Sequence, residues 1–114
     1  MKEELEEIGQ ALRLAVTALL VPIQTTREID QAAFIRLHEQ ALRLVRACKG
    51  RDDVPKSLLK ELLGSYSILR NEAPYFGPDR QTLEDMSTKI EACFRMIIAD
   101  ALPEDRRPGV PRFI

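Results

Sequence analysis

The 114-residue chain is the size of one domain, and its 45% hydrophobic and 31% charged residues allow a packed interior and argue against disorder. Seventeen basic against 18 acidic side chains leave a formal charge of −1, which removes the electrostatic signature of a nucleic-acid or anionic-membrane binder. Four Phe, two Tyr and no Trp, among many Leu, Ala, Glu and Arg, direct the reading toward helices rather than strands.

The first apolar-periodic segment covers residues 2–20, with Leu5, Ile8, Leu12, Ala15, Leu19 and then Ile23 recurring at three and four residues. Its acidic first turn complements the positive end of the helix dipole, and Pro22 is expected to end or bend it. Four glutamates against one lysine at the start do not suit a secretory signal. The apolar run 11–23 is interrupted by Arg13 and Thr17 and falls short of the roughly 20 residues that span a bilayer. It is apolar over more than one face, which suggests that the bundle needs a partner.

A second segment is read from a capping box, Thr25-Thr26-Arg27-Glu28, with Ile29, Ala33, Phe34, Leu37, Ala41, Leu44, Val45 and Cys48 buried. Arg46 and Lys49 suit its last turn, and Gly50 suits the position after it. A third opens at Asp52 or Asp53 with Pro55 in its first turn, and its stripe is Val54, Leu58, Leu59, Leu62, Leu63, Tyr66 and Leu69. The fourth begins around Gly77-Pro78-Asp79 and carries Leu83, Met86, Ile90, Cys93, Phe94, Ile97 and Ala101 until Pro103 closes it. Short loops between segments of this length imply an all-α, up-and-down antiparallel four-helix bundle over residues 1–102. Residues 103–114 hold three of the seven prolines and are read as an extended Pro/Arg-rich tail, docked on the bundle or on a partner subunit.

Motifs of catalysis are missing. His38 is the only histidine and has Ile35, not Glu, three residues before it, so the di-iron bundle pattern fails and no metal or other cofactor is expected. Cys48 and Cys93 fall on apolar positions and read as buried free thiols of a reduced, cytoplasmic protein. The five glycines are scattered singly, without a phosphate loop.

Three features stand out. Arg106, Arg107 and Arg112, with Pro108 and Pro111, present guanidinium groups suited to carboxylate or phosphate on a stiff scaffold. Tyr75 and Phe76, bracketed by Pro74 and Pro78, either cap the core or anchor a partner. Gly64, Ser67 and Asn71 form a small polar strip that implies either close helix packing or a shallow groove. The resulting expectation is a non-enzymatic protein–protein interaction module, self-associating or adaptor- or inhibitor-like, acting through the tail and the Tyr75-Phe76 loop. A binder of, or enzyme acting on, a small anionic ligand held by the tail arginines is the first alternative. Weak nucleic-acid association through the second helix is the other.

Overall fold

A computed structural model describes residues 2–105, which form four helices: α1 (Lys2–Thr25), α2 (Gln31–Cys48), α3 (Lys56–Glu72) and α4 (Arg80–Ala99). Short 3₁₀ turns at Ala73–Tyr75, Gly77–Asp79 and Pro103–Asp105 complete them, and no strand occurs among the described residues. The all-α four-helix bundle read from periodicity is the architecture found.

Chain direction alternates from helix to helix. Arg43 near the end of α2 reaches Glu7 near the start of α1, and Ser87 early in α4 reaches Tyr66 late in α3, so each successive pair is an antiparallel hairpin. The two hairpins then pack with parallel partners: α1 lies beside α3 and α2 beside α4. The link from α2 to α3 consequently crosses the end of the bundle, and these two helices are not close neighbours.

The seams meet in one aliphatic interior. Leu12, Leu19 and Ile23 from α1, Leu37 and Leu44 from α2, Leu62 and Leu69 from α3, and Leu83 and Ile90 from α4 have no more than marginal exposure. Ser65 and Ser87 are the buried polar side chains among the described residues, and both are satisfied: Ser65 donates to the Glu61 carbonyl and Ser87 to the Tyr66 carbonyl across α3 and α4.

Several local readings are corrected. Pro22 does not end α1, which continues through it to Thr25. Its ring removes one backbone donor, while its carbonyl still accepts from the Thr26 and Glu28 amides at 2.9 and 3.2 Å. The Thr25 to Glu28 capping box does not form. Both threonine hydroxyls turn back onto the Val21 and Pro22 carbonyls of α1, and α2 is capped by Asp30, whose carboxylate accepts from the Ala33 amide at 3.0 Å. α3 starts at Lys56 after an N-cap at Pro55 with no side-chain hydrogen bond, rather than at Asp52 or Asp53. Its buried stripe runs Leu58, Leu62, Ser65, Leu69, which leaves Leu63 about 100° away and 45% exposed. α4 ends earlier than Pro103, where Asp100 takes the left-handed conformation at φ 54.

Asp100 also ties the ends of α2 and α4. Its carboxylate accepts from the Gly50 amide at 2.7 Å, and Lys49 donates to its carbonyl. The Gly50 amide, then the Lys49 charge, hold the Asp100 carboxyl below its ordinary value. Beyond it, the Pro103–Asp105 turn is fastened by Arg46, which grips Glu104 with two hydrogen bonds at 2.7 and 3.1 Å. The part of the expected extended tail that is described is therefore a compact turn, and residues 106–114 lie outside the described residues.

Because Asp30 rather than Thr25 supplies the α2 cap, Asp30→Ala is expected to lower stability by about 1 kcal/mol. Thr25→Ala, which removes only a hydroxyl bonded within α1, should change it by less than about 0.5 kcal/mol. Urea denaturation of the two variants checks the order; a larger loss from Thr25→Ala would contradict the assignment.

Candidate functional site

The loop after α3 separates its two aromatic residues. Phe76 is buried at the end of the core, while Tyr75 is 67% exposed. Phe76 therefore fills the capping role and Tyr75 alone is available to a partner. Arg27 holds Tyr75 in place, with Nη1 donating to the Tyr75 carbonyl at 3.0 Å and the guanidinium 6.0 Å from the ring centroid. Asn71 is exposed on the last turn of α3, one turn before this loop. Arg106, Arg107 and Arg112 lie outside the described residues.

The Gly64 strip is not a close-packing site. A side chain at Gly64 would meet nothing within 4 Å, so no neighbour demands the glycine. The close approach is at Gly9 instead, where an added Cβ would stand 3.0 Å from Leu58 Cδ2. This glycine lets α1 and α3 come together near their first turns.

The solvent side of α1 is the most unusual surface. Between Arg13 and Arg27 the chain has no charged residue. On a helix, Gln10, Leu14, Thr17, Val21 and Gln24 share one outer face at alternating steps of four and three. Leu14 is 74% and Val21 49% exposed there, where a solvated helix ordinarily carries charge. α1 is also the one described helix long and apolar enough to cross a membrane, although its Leu5–Ile8–Leu12–Leu19 stripe is buried in the bundle. At 24 residues it is longer than the interrupted apolar run 11–23.

Two open grooves follow the seams between parallel helices. One, of about 510 Å³, lies where α1 and α3 begin; Leu5, Gly9 and Leu58 line it together with Arg13, Arg51 and Glu6. The other, of about 360 Å³, lies between α2 and α4 and contains His38, with Phe34, Glu39, Asp85 and Lys89 around it. His38 stacks on Phe34 at 5.8 Å between ring centroids. Partial burial, then the Lys89 charge, lower its pKa below 6.5, and Glu39 opposes them.

Cys48 and Cys93 are buried and free, and burial pushes the Cys93 thiol up to about 12. Among the described residues no group of three or more His, Cys, Asp or Glu is placed to hold a metal ion. Comparisons with protein-family models, with curated proteins and with solved structures find no match to this chain.

The neutral stretch of α1 is visible in the sequence as a gap in charge, but which part of it faces water depends on the helix neighbours. Arg13 and Arg51 are 38 positions apart and no local pattern joins them.

The single histidine gives a direct test of the second groove. Its NMR titration midpoint is expected below 6.5, and Lys89→Met should raise it partway, since burial persists. Between the lowered midpoint and 6.5 the unfolded chain binds more protons, so this group makes stability rise with pH in that window. A midpoint at or above 6.5 would refute the burial of His38. The thiols give another test: Cys93 should resist alkylation at pH 8 in the native protein and react once guanidinium unfolds it.

Proposed function

We propose that the chain is a small helical association module without catalytic activity, and that its occupant on the outer face of α1 is a second copy of itself. The observation that carries this reading is the uncharged solvent face of α1, with Leu14 and Val21 exposed on it. Covering two aliphatic side chains removes their apolar area from water, and no buried charge has to be compensated.

The spacing of the stripe favours self-pairing. If two α1 helices meet antiparallel about a two-fold axis near Thr17 and Ala18, Leu14 of each copy faces Val21 of the other. Gln10 then falls near Gln24, amide opposite amide. The same register brings Glu3 and Glu4 of the first turn, and Glu7 one turn on, toward the end where Arg27 stands. Tyr75, fixed by Arg27, extends the contact at that end. One helical stripe offers less than the roughly 800 Å² per partner of a standard stable interface, so the dimer should be a weak one. Free buried cysteines support placing this activity in a reducing, cytoplasmic setting.

Sedimentation equilibrium of the full chain should show a concentration-dependent rise from 13.0 kDa toward twice that mass. Leu14→Glu and Val21→Glu should each weaken it by about tenfold or more and leave the helical circular dichroism unchanged, because both side chains are already exposed. A wild-type chain that stays monomeric at millimolar concentration would remove the proposal, and so would a dimer insensitive to both substitutions.

A further inference from the structure

We infer that the groove where α1 and α3 begin binds a small organic oxyanion, a carboxylate or phosphate monoester joined to an apolar body. This inference rests on other residues than the association proposed above, Gln10 excepted, which stands on the α1 stripe and also lines the groove.

The first support is the distribution of arginines. Arg43, Arg46, Arg70, Arg80 and Arg95 each hold a carboxylate, and Arg27 is bonded to Tyr75. Among the described residues that leaves Arg13, Arg36 and Arg51 with neither an ion pair nor a side-chain hydrogen bond, and two of these three line the same groove. In a chain with 18 acidic residues, both of these guanidiniums line one concave surface without a carboxylate partner among the described residues. Lys2 adds a third positive charge at the rim against a single carboxylate, Glu6.

The second support is an unsatisfied donor. Arg51 Nη1 is shut off from solvent and has no hydrogen-bond partner among the described residues. Such a buried charged N–H costs free energy, and a turn of the half-buried side chain toward the groove would relieve it by offering the planar guanidinium fork to the two oxygens of a carboxylate or phosphate. Arg13 lines the same groove beside Gly9. Its two terminal nitrogens lie 3.7 Å from where a Cβ of residue 9 would be, so the guanidinium folds along α1 over the bare backbone.

Geometry then specifies the rest of the ligand. Leu5, Gly9 and Leu58 make an apolar floor, and the volume of about 510 Å³ is within the range of small-molecule sites. Ser57, in the first turn of α3, lines the groove at a helix start that no side chain caps. Its hydroxyl and the positive end of the helix dipole add to the attraction for an anion. A bare inorganic ion would leave the apolar floor uncovered; a neutral apolar molecule would leave both arginines unmatched.

The test is titration of the full chain with phenyl phosphate, benzoate, inorganic phosphate and benzyl alcohol, followed by amide NMR shifts. Phenyl phosphate, benzoate or both should shift Gly9, Arg13 and Ser57 and bind about tenfold or more tightly than inorganic phosphate or benzyl alcohol. Which of the two binds better identifies the head group. Arg13→Gln and Arg51→Gln should each weaken binding about fivefold or more, with Arg36→Gln unchanged as the control for unpaired surface arginine. If Arg51→Gln does not fold, Arg13→Gln alone carries the comparison. Shifts elsewhere on the bundle, equal binding of benzyl alcohol, an equal loss in Arg36→Gln, or no binding of either organic anion would each overturn the inference.

Discussion

The bundle depends on closing one aliphatic interior between two helical hairpins that meet through parallel partners. Had α2 and α3 been neighbours, the chain would have needed only a tight turn between them. Instead the seven residues 49–55 carry it across the bundle end. With helices about 10 Å apart, the diagonal of a four-helix square is about 14 Å, within the extended reach of about 23 Å for seven residues. Gly50, at φ 82, turns the chain out of α2, and its amide is held by Asp100 at the end of α4. The diagonal link is thus fixed at its start by the helix beside it.

Parallel packing also sorts the helix ends by charge. The amino ends of α1 and α3 come together at one end of the molecule, next to the carboxyl ends of α2 and α4. Lys49 and Arg46 sit at the carboxyl ends, where exposed carbonyls favour cations, and each is drawn to an acidic group of the α4 end. At the amino ends, Glu3 and Glu4 occupy the first turn of α1, but α3 begins at Pro55 with no carboxylate cap. The field there is incompletely answered by the chain's own groups, in the same place where Arg13 and Arg51 lack partners. Two independent features of the sequence, an uncapped helix start and unpaired guanidiniums, coincide only because α1 and α3 run side by side.

Helix number and most of the buried positions were legible because a 3.6-residue period is a local property, and Leu, Ile and Ala repeat it along each segment. What was not legible turned on competition between local alternatives or on neighbours. Thr25 and Asp30 are both good caps; the one used depended on α1 persisting through Pro22, which put Thr25 inside a helix. Leu63 looked like core, yet the strict period places Ser65 inward instead, where the Glu61 carbonyl satisfies its hydroxyl. Gly64 and Gly9 are equivalent as letters in a helix, and only the approach of Leu58 distinguishes the one that matters. Of the candidate site, Tyr75 was legible as an unusual aromatic, whereas its partner Arg27, 48 residues away, was not.

α1 is asked to satisfy three environments at once, and its composition is explained by that demand. One stripe fills the interior, where Leu12, Leu19 and Ile23 leave no exposed area. A second, toward α3, must be small at Gly9 to let Leu58 close in, and cationic at Arg13. The third faces water and is uncharged from Leu14 onward. A helix that served only the interior would gain solubility from lysine or glutamate at Leu14, Thr17, Val21 and Gln24, at no cost to packing. Glycine at position 9 costs up to about 1 kcal/mol of helix propensity against alanine, which the close α1–α3 contact must offset. Both departures from an idealised amphipathic helix concentrate on α1, one on the face beside α3 and one on the face toward solvent. The glycine follows from the close packing of α1 on α3, whereas the uncharged solvent face does not follow from the requirements of the fold.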